Sequence, residues 1–253
     1  MSKTFLGSFA IVVLLGTTPV AQEPAKSAAT NGTPSTTPAT PAINITPDTT
    51  PKELARAAFM AQGGEKFRAV QNMTLRGSVK LYPPNSVQSL PGAFSLTTAG
   101  EKLRLEIDAR PAFVVTQIYD GERTYSSMPN IVVPPLTKFG WGALARFDQP
   151  GYEITALPDK KKQRAFRIVD PDGYTTDYFI DPKTGRVMTF LLYFNELTLG
   201  TDTSQFKEMD GVLIPFNFSQ RFEMAMGAFF AEFSVKEAKL NQQLGPDAFA
   251  IPH

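Results

Sequence analysis

The side chains that most often carry out catalysis are scarce in this sequence. It contains no cysteine, and its single histidine, His253, is the last residue. These two facts exclude Ser–His and Cys–His nucleophiles, thiolate metal sites and disulfides. The glycine-rich loops that cradle phosphates and the GxSxG turn of hydrolases are also missing. We therefore predict no catalytic residue, no metal site and no cofactor.

Carboxylates are the remaining groups that could do chemistry. Asp170, Asp172, Asp177 and Asp181 lie close in sequence, and the first two could begin a calcium loop. Such a loop needs a third ligand at alternate spacing and a distal glutamate, which are missing here. A type I turn that uses Asp and Gly for its conformation is the favoured interpretation. A carboxylate-dependent hydrolase stays open as an alternative, and it would need two buried acidic residues facing a cavity.

The strongest pattern is apolar and lies in the strand predicted at residues 186–194. On one side of this strand fall Val187, Leu191 and Tyr193, and on the other Met188, Phe190, Leu192 and Phe194. A strand with one solvent-facing side alternates apolar with polar residues. This strand must therefore be covered on both sides, or one of its sides must line a binding surface.

Apolar residues at alternate positions of other strands extend this surface. The chain has 20 Phe but only 7 Tyr and 1 Trp, and Phe, which has no polar group, suits dry cores and dry pockets. We predict a hydrophobic ligand cavity lined by Phe190, Leu192, Phe194, Phe216, Phe218, Phe229, Phe233, Leu103 and Leu105. The alternative is a filled core. An acyl chain of about fifteen carbons would gain on the order of 10 kcal/mol from burial, before ordering costs.

Cap and turn signals place these residues on a long series of strands. Thr50-Pro51-Lys52-Glu53 is a capping box that begins a helix, and Gly63-Gly64 ends it. From Met73 onward apolar and polar residues alternate, and turn residues such as Asp-Gly separate about ten or eleven strands. An antiparallel meander of that length tends to curl and to leave a concave face. The predicted fold class is therefore α+β.

A segment that breaks the strand pattern lies in the middle of the chain. In residues 129–150, two valines and two prolines lead into an apolar stretch, residues 136–147, which has two glycines and the only tryptophan. This stretch predicts a short apolar helix or helical loop. The N-terminal helix has one modest apolar stripe, too little to cover so many strands. We predict that the middle segment covers part of the remainder as a movable lid, through Phe139, Trp141 and Leu144.

The first 50 residues carry targeting and linker signals. Residues 1–21 combine Lys3, a short apolar stretch and small residues ending at Ala21, which is typical of a secretory signal peptide. The stretch is shorter than the roughly 20 apolar residues that span a bilayer, and a retained anchor is the alternative. Residues 22–50 are rich in Pro, Thr and Ala and predict a disordered linker. A single domain at residues 51–253 follows.

The charge pattern gives no sign of a nucleic-acid partner. The net charge is +1, and the sequence has no basic stripe of the kind that nucleic acid requires. The run Lys160-Lys161-Lys162-Gln163-Arg164 is interpreted as a solvated hairpin tip. Contact with a membrane surface or an acidic envelope protein is the alternative for this run. We expect a monomer.

Several turn-and-strand motifs occur in the order found in a known family. They are Asp120-Gly121 followed by Tyr125, Tyr178-Phe179-Ile180-Asp181 with Thr184-Gly185, Asp210-Gly211-Val212 with Pro215, and the ending Asn241…Phe249…Pro252. Over residues 52–253 the chain resembles the outer-membrane lipoprotein carrier and sorting proteins of the LolA/LolB-like superfamily.

The resemblance implies an unclosed antiparallel β-barrel whose helices form a lid over an apolar cavity. It also implies a carrier that takes lipoprotein acyl chains through the periplasm of a Gram-negative bacterium. The lack of a lipid-modified cysteine fits the soluble carrier rather than the membrane-anchored acceptor. The family's gating arginine lies in a hairpin where this chain has Ala99-Gly100, so no gating residue is assigned. An envelope sensor or interaction module of the same fold, without transport activity, is the alternative function.

Overall fold

The computed structural model describes residues 45–84, 86, 88–128, 134–195, 197–224 and 227–252. The predicted signal peptide and most of the predicted linker lie outside the described residues. The end of the linker, residues 45–50, contacts the domain. Arg164 donates hydrogen bonds to the carbonyl oxygens of Thr46 and Pro47, and Ile45 packs against a buried cluster.

Two short helices open the domain where the sequence signals predict them. The first, α1, spans Pro51–Gln62. Thr50 Oγ1 accepts a hydrogen bond from Glu53 N (3.3 Å) and Glu53 Oε2 accepts one from Thr50 N (2.8 Å), which confirms the capping box. The helix ends at Gly63, whose φ of 125° suits glycine. The second, α2, spans Glu65–Arg68. Within the described ranges, no helix combines the length and hydropathy needed to cross a membrane.

In the described residues, twelve strands form one antiparallel sheet, one more than the largest number predicted from the sequence. The first group is β1 (Asn72–Tyr82), β2 (Leu90–Ala99), β3 (Lys102–Ala109), β4 (Phe113–Tyr119) and β5 (Thr124–Ser126). The second group is β6 (Glu153–Ala156), β7 (Arg164–Val169), β8 (Thr175–Ile180), β9 (Val187–Phe194), β10 (Leu197–Met209), β11 (Val212–Met224) and β12 (Gly227–Leu240). Between the groups lie a 3-10 turn at Leu136–Lys138 and α3 at Gly140–Ala145.

The two groups of strands join at the centre of the sheet. The strand order is β5-β4-β3-β2-β1-β12-β11-β10-β9-β8-β7-β6, so β1 pairs with β12. A simple meander in sequence order would place β5 beside β6, but these two strands are the opposite edges of the sheet. The edges do not pair with each other, so the barrel is unclosed. The predicted fold class is confirmed.

One prediction about the strand at 186–194 is wrong. The pairing of β9 with β8 skips Met188, which is therefore the extra residue of a β-bulge. A shift of one residue reverses the face to which a side chain points. Val187 is consequently buried in the same cluster as Phe190, rather than on the face of Tyr193.

The outer face of β9 carries polar and aromatic groups beside Leu191. Tyr193 is 38% exposed, and its hydroxyl donates a hydrogen bond to Asp177 Oδ2 (2.9 Å). Arg167 Nε donates to Asp177 Oδ1 (2.5 Å). Of the two options expected for this strand, covering on both sides is therefore wrong for the Tyr193 side, and the other option, a side that lines a surface, concerns the side of Phe190. Only the inner face is deeply buried.

The buried side chains of the inner face form two main clusters. The first packs α1 and α3 against β7–β9 and includes Leu54, Phe59, Leu144, Phe147, Phe166, Ile168, Tyr178 and Val187. The second lies where β1–β4 curl towards β11 and β12 and includes Leu75, Val79, Phe94, Ile107, Ile214, Phe216 and Phe233. A cavity borders both clusters.

Candidate functional site

A cavity of about 480 Å³ lies on the concave side of the sheet and is bounded by α2 and α3. Its wall is mainly apolar and comes from β1–β3 and β9–β12 as well as from the two helices. The volume falls within the range of about 300–1,000 Å³ that is typical of small-molecule sites. The curled sheet therefore encloses space that its own helices leave open.

Most of the residues predicted to bind a ligand come together around this cavity. Those that line it are Phe190, Leu192, Phe218, Phe233, Leu103 and Leu105, with Phe139 and Trp141 from the predicted lid. They belong to strands far apart in sequence, which the pairing of β1 with β12 brings onto one concave face. Their role in binding stays a prediction.

Four predicted residues lie away from the cavity wall: Phe194, Phe216, Phe229 and Leu144. Phe216 is buried in the second cluster, with Lys207 Nζ 4.0 Å from the centre of its ring. Leu144 is fully buried against α1 and β7–β9. Phe194 and Phe229 pack against other aromatic rings on the sheet. Phe216 and Leu144 thus fill the interior, whereas Phe194 and Phe229 are partly buried beside it.

The cavity wall also includes residues that the sequence reasoning did not select, among them Phe67, Leu96 and Leu199. Leu199 lies near the start of β10, which begins at Leu197. Leu96 lay on a predicted strand and could have been chosen from its alternation with threonine. No local signal indicated that Phe67 of α2 would face the sheet.

The Trp141 segment, residues 136–147, forms one side of the cavity. The Trp141 ring lies 5.7 Å from that of Phe190 and 6.4 Å from that of Phe67. Leu144 and Phe139 are at most 2% exposed. The segment is thus packed into the interior on both sides of Trp141. Its movement as a lid stays a prediction.

Gly140 allows the Trp141 segment to approach β8 and β9 closely. Its φ is +51°, and a methyl group added to it would lie 2.7 Å from Phe190 Cε2. Its carbonyl oxygen accepts a hydrogen bond from the Tyr178 hydroxyl (2.5 Å), and its N–H donates to Thr176 Oγ1 (3.3 Å). Burial raises the pKa of Tyr178, so this hydroxyl keeps the proton that it donates.

Hydrogen bonds and ion pairs connect the end of the Trp141 segment and the residue after it to α2 and to the β2–β3 turn. Arg68 of α2 donates to the carbonyl oxygen of Ala145 (2.8 Å) and pairs with Asp148 (2.6 Å). Arg146 pairs with Glu101 in the β2–β3 turn, at 3.3 Å. The β2–β3 turn, in which no gating residue was assigned, therefore contacts the segment through Glu101.

Buried carboxylates are engaged away from the cavity. Asp170 Oδ1 accepts hydrogen bonds from the backbone N–H groups of Asp172 (3.0 Å) and Tyr174 (2.8 Å), which confirms the interpretation as a turn. Asp177 pairs with Arg167. In the part of the chain that the structure describes, no two buried acidic residues line the cavity and no three potential metal ligands cluster.

The basic run at residues 160–164 forms a tight turn between β6 and β7. The backbones of Lys160 and Gln163 exchange hydrogen bonds of 3.2 and 3.0 Å, and Lys160, Lys161 and Lys162 are exposed. The interpretation as a solvated hairpin tip is confirmed. A contact of this tip with lipid or protein stays a prediction.

The sequence matches no protein-family model and no curated protein. Among solved structures, it is similar to a LolA superfamily protein from Nitrosomonas europaea, with a TM-score of 0.52 and 12% identity over 80% of this chain and 98% of that one. It is also similar to a DUF1329 family protein from Desulfovibrio piger (TM-score 0.48, 11% identity, 79% and 97% coverage). A third similar structure is an outer membrane lipoprotein-sorting protein domain from Vibrio parahaemolyticus. Its TM-score is 0.43, with 14% identity over 78% of this chain and 97% of that one.

The first of these likenesses establishes the fold. The chain has a LolA-like fold, as the order of its turn motifs predicted. At this level of identity the likeness extends to the fold alone, and the other two, with TM-scores below 0.5, add nothing to it. The contents of the cavity must therefore be argued from its own residues.

Proposed function

We propose that this protein is a periplasmic carrier or binding protein that holds an acyl chain of a lipid or lipoprotein in its cavity. The observation that carries the proposal is the cavity of about 480 Å³, in which apolar side chains of distant strands meet. The LolA-like fold supports it, because the family that the chain resembles carries lipoprotein acyl chains. The signal-like residues 1–21 support export.

Burial of hydrocarbon would supply the affinity. Each buried methylene contributes about 0.8 kcal/mol, whereas an exposed ion pair contributes at most about 1 kcal/mol. The charged residues of the cavity wall are Arg68, Glu101 and Arg146, and they already pair within the protein. They suit the role of holding the wall together rather than that of the main ligand contact.

The contents of the protein as purified from a bacterial envelope provide the first test. We expect native mass spectrometry to show a bound lipid that organic solvent extracts. Trp141 is the only tryptophan and lines the cavity, so its fluorescence should shift when a fatty-acyl probe binds to the extracted protein. Protein that is repeatedly recovered empty and whose fluorescence ignores acyl probes would rule out the proposal. A melting temperature that responds only to an envelope protein would then favour the interaction module.

A matched pair of substitutions locates the site. Leu105 of β3 lines the cavity, whereas Val114 of the neighbouring strand β4 points outwards and is 50% exposed. Leu105→Asp should weaken binding of the acyl probe by at least about tenfold, because an unpaired carboxylate in an apolar cavity is costly. Val114→Asp should bind as the wild type does. Equal binding by both variants, each checked for a normal melting transition, would place the ligand elsewhere.

Export is tested separately from binding. The expected product of expression in a Gram-negative host is a periplasmic protein whose mass corresponds to a chain starting near residue 22. A full-length chain that stays in the membrane fraction would show that residues 1–21 are a retained anchor. That result would leave the binding proposal intact.

A further inference from the structure

The size of the cavity limits what it can hold. A water molecule occupies about 30 Å³ in the liquid, and a methylene group is of similar size. The cavity of about 480 Å³ thus has room for about sixteen methylene-sized units. A lipid with two or three chains of that length would need roughly twice or three times the space.

Packed aromatic rings set this limit on the side of β11 and β12. The rings of Phe218 and Phe233 stack at 4.6 Å, and Phe94 meets Phe233 edge-on at 5.1 Å. Phe94 and Phe233 are at most 4% exposed. Because packed interiors resist rearrangement, this wall does not yield easily to a second chain.

A second packed group bounds the cavity on the side of β9 and β10. Phe139, Leu192 and Leu199 form a small buried cluster, each 2% exposed, and all three line the cavity. The aromatic contact between Phe139 and Tyr174, at 5.1 Å, holds this cluster from behind. The free space is therefore bounded by closely packed groups on two sides.

Polar residues of the cavity wall reach the surface. Gln71, Glu101 and Gln149 line the cavity and are also exposed to solvent. Arg68 and Arg146 line the cavity too, but each already has a carboxylate partner. A head group beside the exposed residues would remain in water, and its charge would add little to the affinity.

We propose that the cavity takes one unbranched acyl chain of up to about sixteen carbons, with its head group near the exposed lining residues Gln71, Glu101 or Gln149, and excludes lipids that must insert two or three chains. The inference rests on the proposed function, because it specifies the ligand of the same cavity. It names single-chain amphiphiles, such as fatty acids and lysophospholipids, as the ligand class.

A chain-length series tests the limit on the full-length mature protein after lipid extraction. The probes are saturated fatty acids of increasing length, and a lysophospholipid, a diacyl phospholipid and a triacylated lipopeptide with equal tails. We expect affinity to rise about fourfold per methylene and to level off near about sixteen carbons. The lysophospholipid should bind as tightly as the fatty acid, and the two- and three-tailed lipids at least about tenfold more weakly.

A substitution that fills the cavity checks that the limit arises there. Leu105→Trp adds about two methylene-sized units of volume to the wall, so affinity should level off at a chain about two carbons shorter. Val114→Trp, on the outward side of β4, should leave the limit unchanged and controls for the added indole.

The outcomes separate the two proposals. The one-chain inference would be overturned if affinity kept rising for chains well beyond about sixteen carbons. It would also be overturned if a triacylated lipopeptide bound more tightly than single-chain probes. Either result would leave the proposal of acyl binding in place. The absence of binding by every probe would overturn the proposed function as well.

Discussion

The sheet has two regions that are built from the same alternating strands but are filled differently. In the filled region, α1 and α3 cover β7–β9, and Leu54, Phe166 and Tyr178 are almost completely buried. Elsewhere the sheet is only partly filled: β1–β3 and β10–β12 form the second buried cluster, but the part of them that borders the cavity is the hollow region. There Leu96, Leu105 and Phe218 are only partly buried and line the cavity. The difference lies in what covers the strands, not in the strands themselves.

Helix length explains why one region is filled and the other hollow. α1 has 12 residues, and its small residues Ala55 and Ala58, which are fully buried, let it lie close to the sheet. A helix of that length, at about 1.5 Å per residue, covers only a few strands spaced about 4.8 Å apart. α2 and α3, with four and six residues, are shorter still, and both border the cavity without filling it. Alternation thus predicts which face of a strand is apolar, but the cover has to be found elsewhere in the chain.

The largest expected effect is the loss of stability when a phenylalanine is replaced by alanine, and we expect this loss to differ between the two regions. Phe166 is fully buried and stacks on Tyr178 at 4.9 Å, so Phe166→Ala should lower the free energy of unfolding by about 4 kcal/mol. Phe218 already borders open space, so Phe218→Ala should cost about 2 kcal/mol, because fewer contacts are lost. Urea unfolding of both variants without ligand measures the difference.

Equal losses in the two variants would contradict the comparison. They would mean that Phe218 is as closely packed in solution as Phe166, and that the hollow region closes when it is empty. A loss at Phe218 that grows when an acyl ligand is present would strengthen the comparison, because the ligand then supplies the contacts that are otherwise missing.

Much of this architecture could be predicted from local signals. The capping box at Thr50 and the turns at Asp170 and Asp210 set the bounds of helices and strands to within a few residues. Alternation correctly placed Phe190, Leu192 and Phe218 on the concave face. These features depend on neighbours in sequence, so the sequence displays them directly.

Other features depend on contacts between distant parts of the chain and have no local signal. The pairing of β1 with β12 joins residues near 75 to residues near 235. The bulge at Met188 depends on its partner strand β8, and it reversed the face predicted for Val187. Phe216 and Phe218 share one face of β11, yet only Phe218 lines the cavity. Where a curled sheet is filled depends on the curl, which alternation does not encode.

A smaller difference in stability is expected between alanine substitutions at two glycines, one in each region. Gly140 in the Trp141 segment and Gly100 in the β2–β3 turn have similar φ values, +51° and +56°. A methyl group at Gly140 would collide with Phe190, whereas one at Gly100 would have nothing within 4 Å. Gly100→Ala should therefore cost about 1 kcal/mol from backbone strain alone, and Gly140→Ala about 3 kcal/mol because overpacking is added.

Thermal unfolding and Trp141 fluorescence together measure this pair. Gly140→Ala should alter the emission of Trp141, whose ring packs on the displaced Phe190, while Gly100→Ala should not. If the two variants lose equal stability and both keep the wild-type emission, the Trp141 segment is not wedged against β9 in solution. It would then be free to move as the predicted lid.

The smallest expected effect concerns alkaline pH and the filled region. Burial raises the pKa of Tyr178 above the ordinary tyrosine value of about 10. The unfolded chain releases this proton above about pH 10 while the folded protein retains it, so stability is full below that pH and falls as pH rises. Each tyrosine held neutral in this way contributes a loss of about 1.4 kcal/mol per pH unit.

Tyr178→Phe lacks the hydrogen bond to Gly140 and should be less stable by about 1 kcal/mol at neutral pH. Its stability should nevertheless decline less steeply than that of the wild type between about pH 10 and 12. Urea unfolding at several pH values compares the two slopes, and parallel slopes would show that the Tyr178 hydroxyl is hydrated, so that the filled region is open to water as the hollow region is.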